Sequence, residues 1–466
     1  MKIIYLLLLI ALTVLADKNT ASTSVVKIFT SVSIPDYSYP YQSSKISKFS
    51  GSGVIIDDHR ILTSAHIVSG ARFIELQKES DPNRYIAKVK YISNQADLAV
   101  LEVNDKSFFK NTTTLKLSED IYTHDKVTVI GYPFGGDTIS TTTGVVSRIE
   151  YINYVWSNFY LLAIQVDAAV NQGNSGGAVL NSRDELVGIV MMKLLQSSNI
   201  SYIVPAVIIN TFLEDIKDGV VDGFHSDSIF YQDISNKAQK KYYAMDKKSG
   251  VVITYVGVDE KLLKVDDVIL GVDGKDIAND ATVLTKYAHI DFSFLYHTKQ
   301  LGDTVQIKIL RDKKEMLIEY PLKRVEPLIR REFGKEPRYI IYGGFIFTPL
   351  TDNYLRRIYK SSNGLNMLFY QKNKTADYDE PVVSLSTIFP HEVNRGYFPV
   401  SNVLERVNGI KIKNFKHLVN ILNNMSEEFT IFEFLEKRKV ILNTKEAKKS
   451  IKDILDIYGI KSDRRE

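Results

Sequence analysis

From Ser24 to Ile203 the chain is a succession of short, β-branched runs separated by turn residues, and this pattern limits the fold more than any other feature. "SGVIIDD", "RILTSA", "LAVLEV", "KVTVIGYP", "GVVSRIEYI", "LLAIQV" and "ELVGIVMMK" are strand-length and rich in Val and Ile, with few helical stretches between them. Runs of this kind at this spacing predict an all-β barrel or sandwich. The pattern stops at "VPAVIINTFLEDIKDG", where Ile208, Phe212 and Ile216 recur at helical spacing with Ile209 and Leu213 beside them. Pro205 suits the first turn of that helix and Gly219 its end. A closing amphipathic helix after many strands reads as the end of a domain.

The remaining sequence contains a repeat. "VDDVILGVDGKDIAN" (265–279) aligns without a gap with "VSNVLERVNGIKIKN" (400–414). The two share Val265/Val400, Val268/Val403, Val272/Val407, Gly274/Gly409, Ile277/Ile412 and Asn279/Asn414. The glycines fall at the same turn between strands. Two copies so far apart point to two homologous domains rather than a solenoid, whose period is shorter. A chain of 466 residues suits about three domains. The expected division is a leader at 1–16, a β-rich domain at 17–219, and smaller α+β domains at 223–325 and 326–466.

The leader is expected from "MKIIYLLLLIALTVLADK". Lys2 is followed by apolar Ile3–Leu15, and Val14-Leu15-Ala16 offers small residues for cleavage before Asp17. That apolar stretch is short of the roughly 20 residues a bilayer span needs. The mature chain is therefore expected to be exported without a membrane span, periplasmic in a Gram-negative cell and otherwise secreted. With no cysteine in the sequence, disulfides, lipoprotein attachment and thiol catalysis are all excluded. Fifty-nine basic residues against fifty-five acidic leave a net charge of only +4. The densest basic stretch, "EKRKVILNTKEAKKSIKD", is broken by acids and apolar residues, so no nucleic-acid partner is expected.

Chemistry enters at "NQGNSGGAVL" (171–180). Its Gly, Asn and Ser suit a tight turn before a strand. As a nucleophile, Ser175 would need a base, a carboxylate to orient that base, and backbone N–H donors for the oxyanion. His66 follows a strand-like run directly in "RILTSAHIV". Asp97 precedes an apolar run in "NQADLAVLEV", where a carboxylate is costly to bury unless hydrogen-bonded. The order His, Asp, Ser is that of chymotrypsin-like hydrolases.

"LTSAHIV", "ADLAVLEV" and "DAAVNQGNSGGAV" together resemble the three catalytic blocks of the HtrA/Deg (protease Do-like) family of serine proteases. "GFIFTPLT", "LSTIFPHEVNRGY" and "ILDIYGIKSDRRE" are similar to its plant-type Deg branch, which has two PDZ domains. The resemblance implies a chymotrypsin-like double β-barrel at 17–219, a first PDZ domain at 223–325 and a diverged second at 326–466. It implies His66 as general base, Asp97 as its orienter and Ser175 as nucleophile, with the N–H groups of Gly173 and Ser175 as oxyanion hole and Asn174 shaping the turn. Asp167, although close in sequence, is expected to be structural. The S1 pocket would be lined by Ala169, Val190 and Met192, and would take a small to medium aliphatic residue.

A peptide carboxylate loop in the first PDZ domain would comprise Gly223, Phe224, Ser228 and Ile229, with Ser228 where the family pattern favours glycine. Tyr37, Tyr39 and Tyr41 correspond to N-terminal aromatics that join family members into trimers, which can pair as hexamers. The implied partners are unfolded or misfolded polypeptides and peptide activators. No cofactor or metal is implied, and no Walker-type Gly-Lys-Ser/Thr loop occurs, in keeping with an ATP-independent endopeptidase. The alternative from another class is a holding chaperone or PDZ scaffold with a silent protease fold.

Overall fold

The β-rich runs of the first half close into two barrels. The structure is a computed structural model that describes residues 21–193, 200–226, 229–258, 260–358, 383–398 and 402–466. The expected leader lies outside the described residues. The first barrel contains β1 (Val25–Ile34), β2 (Lys45–Ile55), β3 (Ile61–Ser64), β4 (Ala71–Lys78), β5 (Tyr85–Ser93) and β6 (Leu98–Val103), in the order β1-β2-β3-β6-β5-β4. The second contains β7 (Lys126–Gly131), β8 (Ser140–Tyr154), β9 (Phe159–Val166), β10 (Ala178–Leu180), β11 (Leu186–Lys193) and β12 (Ser201–Pro205), in the order β10-β11-β12-β9-β8-β7. Closure pairs every strand on both sides, so neither barrel exposes a hydrogen-bonding edge. This is the double-barrel form of the expected all-β class.

Each barrel is packed with apolar side chains, most of them from its strands. Val26, Ile28, Ile61, Leu76, Ala99, Leu101 and Phe108 fill the first. Val129, Ile164, Val166, Leu180, Ile189, Ile203 and Phe212 fill part of the second. Burying each such Val, Leu, Ile or Phe side chain contributes about 1.5–3 kcal/mol. A four-residue helix α1 (Ala65–Val68) follows β3, and α2 (Ala206–Asp215) follows β12. Pro205 is the N-cap of α2, extended at φ −75° and ψ 156°, one position before the expected first turn. Gly219, at φ +92°, follows the short 3₁₀ turn that continues α2.

After α2 comes a sheet of Ile229–Asp233, Val251–Val256, Val268–Val272, Thr304–Arg311 and Lys314–Pro321, in that order. It shares one compact unit with the barrels, so residues 219–223 do not separate two compact units. A single apolar cluster runs from the second barrel through Phe224 into Val251, Ile269 and Ile307. His297 is buried there. Its Nε2 bonds the His225 carbonyl at 3.0 Å and its Nδ1 bonds the Tyr151 hydroxyl at 3.0 Å. Burial pulls its pKa down to about 3, so this imidazole is neutral.

Residues 326–466 belong to a second unit, joined by residues 33–46 and the short stretch around Val258. Its sheet runs Lys439–Asn443, Phe429–Phe434, Asn402–Val407, Val383–Ile388, Phe345–Pro349, Tyr339–Tyr342 and Arg464–Arg465. Helix Phe415–Asn424 buries Phe415, Leu418, Val419 and Leu422. The two copies of the repeat form the same strand–turn–strand unit. Asp273 and Gly274 have φ of 48° and 75°, and Asn408 and Gly409 have 47° and 77°. Two left-handed residues in succession define a type I′ hairpin turn, which fits the right-handed twist of its strands. The copies then diverge. The first continues into a hairpin of Thr282–Leu284 and His289–Asp291, where the second places its helix.

Candidate active site

Antiparallel pairing of β3 with β6 determines the geometry of the first two residues. Ser64 pairs with Leu98, so the residues just after β3 face those just before β6. The Ala65 N–H accordingly donates to the Asp97 carbonyl at 3.0 Å. Asp97 adopts a left-handed conformation, φ +56°, which Asp tolerates better than most residues. That turn aims its carboxylate back at α1. Oδ1 accepts the His66 backbone N–H at 2.8 Å, and Oδ2 bonds His66 Nδ1 at 2.7 Å. A carboxylate only accepts, so Nδ1 carries the proton and Nε2 is left as the acceptor. Asp97 is 1% exposed, while the His66 side chain keeps 25% of its surface open. Burial pulls the His66 pKa down, but the charge and hydrogen bond of Asp97 outweigh it and leave the pKa above 6.5.

The third residue sits on a loop pressed against the first barrel. The Ser52 N–H donates to the Ser175 carbonyl at 2.8 Å, and the Thr63 hydroxyl donates to the Ser52 carbonyl at 2.7 Å. Gly176 has φ +79°, and a Cβ there would strike the Ser52 carbonyl and the Thr63 hydroxyl. Gly173, at φ +99°, is packed so closely that a Cβ would lie 2.5 Å from both the Phe134 nitrogen and the Tyr132 carbonyl. The Gln172 carbonyl accepts the Phe134 N–H at 2.6 Å. In a trans peptide the C=O and N–H point in opposite directions, so the Gly173 N–H faces away from Phe134. Among the described residues the N–H groups of Gly173 and Ser175 donate to no acceptor.

Ser175 Oγ donates to the Met191 carbonyl at 3.3 Å, and among the described residues no hydrogen bond joins it to His66 Nε2. The structure therefore joins base and carboxylate directly, and turns the serine hydroxyl to the Met191 carbonyl. Asn174 is 2% exposed, and its Oδ1 has no partner among the described residues. An aspartate there would be a buried charge without compensation, which gives asparagine a physical reason at this position. Asp167 accepts the Val145 N–H at 2.6 Å and fastens its loop to β8.

The remaining expected site residues are distributed unevenly. Ala169 is exposed, and its carbonyl accepts from Thr142 at 2.9 Å. The Val190 side chain is fully buried, and its backbone pairs with Gly176 and Gly177. The Met192 side chain and the whole of Ser228 lie outside the described residues. Two amides of the expected carboxylate loop have partners within the chain. The Gly223 N–H donates to Asp215 at 3.0 Å and the Phe224 N–H to Gln95 at 2.9 Å. Phe224 is 2% exposed and Ile229 6%, so neither presents a free surface.

Two of the three tyrosines pack within the chain. Tyr37 is 7% exposed and packs with Leu328, Ile329, Leu350 and Tyr354. Its hydroxyl donates to Glu332 at 3.1 Å and to the Lys335 carbonyl at 3.0 Å. Tyr41 meets Phe389 edge-on at 4.8 Å, and only Tyr39, 49% exposed, faces outward.

Two residues of the site were not singled out by sequence reasoning. Ser52 is fully buried. Its Oγ accepts the Tyr132 N–H at 2.8 Å and donates to the Gly173 carbonyl at 2.9 Å. A serine between two glycines in "FSGSGV" is its only sequence signal. Trp156, the one tryptophan in the sequence, brings its ring to 6.2 Å from that of His66. Among the described residues there is no cluster of side chains suited to a metal ion, and no helix long and apolar enough to cross a membrane.

Comparison with known proteins agrees with this arrangement. The trypsin-like peptidase domain family matches residues 51–189, and the PDZ domain family matches residues 329–466. Three Arabidopsis thaliana proteins of the protease Do-like series are similar along nearly the whole chain. Mitochondrial Do-like 3 is 38% identical over 95% of this chain and 80% of its own. Mitochondrial Do-like 4 is 33% identical over 95% and 85%, and chloroplastic Do-like 2 is 33% identical over 95% and 74%. Among solved structures, the HtrA-type protease AlgW with tripeptide covers 66% of this chain and 96% of its own, at a TM-score of 0.53 and 24% identity. A double β-barrel, a His–Asp pair beside a serine loop, and similarity over 95% of the length agree: the chain is a serine endopeptidase of the Do-like (HtrA/Deg) family.

Proposed function

We propose that His66, Asp97 and Ser175 form the catalytic triad of an ATP-independent protease that cleaves unfolded or damaged polypeptides. The observation that carries this reading is the Asp97 carboxylate, which holds both the backbone N–H and the ring Nδ1 of His66. Rotation about the Ser175 Cα–Cβ bond moves its hydroxyl from the Met191 carbonyl to His66 Nε2. Oγ then attacks the substrate carbonyl carbon while its proton passes to Nε2. The oxyanion takes hydrogen bonds from the N–H groups of Gly173 and Ser175, each worth about 10²–10³ in rate. Collapse breaks the C–N bond, and Nε2 returns the proton to the departing amine. Water, deprotonated by the same nitrogen, attacks the acyl carbon; the C–Oγ bond breaks, and Nε2 returns the proton to Ser175 Oγ. Asp97 stays ionised and holds the imidazolium in place.

In this reading Ala169, Val190 and Met192 border the P1 site, and residues 1–16 direct export to the periplasm or cell exterior and are removed. The sheet at 223–325 is a first PDZ domain and 326–466 a second. The protein works as a homotrimer or hexamer, which light scattering tests directly. Casein cleavage by the mature protein, lost in Ser175→Ala, supports the protease. Casein that is bound and uncleaved would favour the holding chaperone.

A further inference from the structure

The hairpin between β8 and β9 brings its tip to the turn that carries Asp97. Trp156 Nε1 donates to the Asn94 side chain at 3.1 Å, and the Ser157 hydroxyl donates to the Gln95 carbonyl at 2.9 Å. The buried Tyr154 secures the base of the tip through its hydroxyl, 2.6 Å from the Leu162 carbonyl. The indole is thus held beside the catalytic base by groups two to three residues from Asp97. It is half-buried, and its plane makes 55° with the His66 ring across a centroid separation of 6.2 Å. The rings are therefore not stacked. They form the two walls of a wedge with an apolar indole face on one side.

We propose that Trp156 determines specificity at P2, the residue preceding the one whose carbonyl is attacked, by providing the wall of that wedge. This rests on Ser175 being the nucleophile. A peptide acylating Ser175 holds its P1 carbonyl within reach of His66, with the P1 backbone beside the Met191 carbonyl that now accepts from Ser175. The P2 Cα lies about 3.8 Å further along the chain, and the proposal places its side chain against the imidazole. A wedge of this shape suits a compact aliphatic side chain such as Leu, Val or Pro. Glycine leaves the indole wet, and a charged side chain is desolvated there without a partner.

The test compares peptides that differ only at P2, as Gly, Val, Leu, Pro or Glu, in the unaltered protein, Trp156→Ala and Trp156→Phe. The unaltered protein is expected to favour Leu or Pro over Gly by roughly ten-fold or more in kcat/KM. Trp156→Ala should bring that ratio close to one, and Trp156→Phe should retain most of it. The ratio is internal to each variant, so a lower folded fraction cancels. The sole tryptophan gives a second readout. Excited where the 27 tyrosines do not absorb, it should shift to the blue when a peptide phosphonate with P2 Leu acylates the unaltered protein, and not with P2 Gly. An unaltered ratio in Trp156→Ala, or the same emission with both phosphonates, overturns the proposal. A small fluorophosphonate without a P2 group separates the two failures. If it labels the unaltered protein, only the role of Trp156 has failed; if it does not, the nucleophile reading has failed first.

Discussion

Ser52→Ala removes one oxygen atom that no substrate reaches, yet it should slow the reaction. Ser52 Oγ connects the Tyr132 N–H to the Gly173 carbonyl at 2.8 and 2.9 Å inside a fully buried site. Its loss leaves the Tyr132 N–H without a partner, which costs about 1–3 kcal/mol in stability. It also releases the peptide whose neighbour, Gly173, supplies half of the proposed oxyanion hole. Complete loss of one such donor costs about 10²–10³ in kcat. The backbone bond from Ser52 N to the Ser175 carbonyl survives the substitution, so the loop shifts rather than detaches. A fall in kcat of roughly ten- to a hundred-fold is therefore expected, with little change in KM. Steady-state kinetics on a short peptide, with thermal unfolding in parallel, measures both effects. A stability loss with unchanged kcat would refute the claim that Ser52 positions the oxyanion hole. So would a rise in KM at constant kcat.

Other predictions follow from the same geometry. His66 works as a base only when neutral, and Asp97 raises its pKa, so the acid limb of kcat/KM should fall above 6.5. Asp97→Asn should move that limb down and lower kcat by about 10⁴-fold, because an amide N–H facing Nδ1 favours the wrong tautomer. For stability the sign is opposite to that of activity. A raised folded-state pKa stabilises fully below 6.5 and loses its effect as pH rises through the folded value, so Asp97→Asn should cost most in acid. Gly176→Ala forces a Cβ into the Ser52 carbonyl at φ +79°, and should destabilise by about 1–3 kcal/mol in urea unfolding while abolishing cleavage. Tyr37→Ala empties a buried aromatic site in the second unit, and should cost that unit about 3–5 kcal/mol, read by limited proteolysis of residues 326–466.

The barrels were legible because their strands are short, β-branched and punctuated, and because closure needs only local alternation to be right. The His66–Asp97 pair was legible because both residues border strands: the Ser64–Leu98 pairing that joins them follows from where β3 ends and β6 begins. The Asp-Gly and Asn-Gly turns of the repeat were visible for the same local reason. What escaped the sequence was long-range. Ser52 acts across more than a hundred residues on Gly173, and a lone serine between glycines carries no mark of that. Trp156 reaches Asn94 through a hairpin whose length and twist fix the contact, and no motif encodes it. The Phe224 amide is taken by Gln95, a tertiary contact that the sequence of the expected carboxylate loop does not show. Tyr37, which corresponds in sequence to aromatics that join protomers, packs with Leu328 and Ile329 of its own chain, and no local motif shows that.

The central claim is that Ser175 is a nucleophile activated by His66, although its hydroxyl rests on the Met191 carbonyl in this structure. Reaction of the mature protein with a fluorophosphonate, followed by peptide mass spectrometry, tests it most directly. A single adduct on Ser175, formed faster as pH rises through the His66 pKa and lost in His66→Ala, is the predicted result. An adduct on another residue, or none under conditions where the protein is folded and cleaves casein, would contradict it.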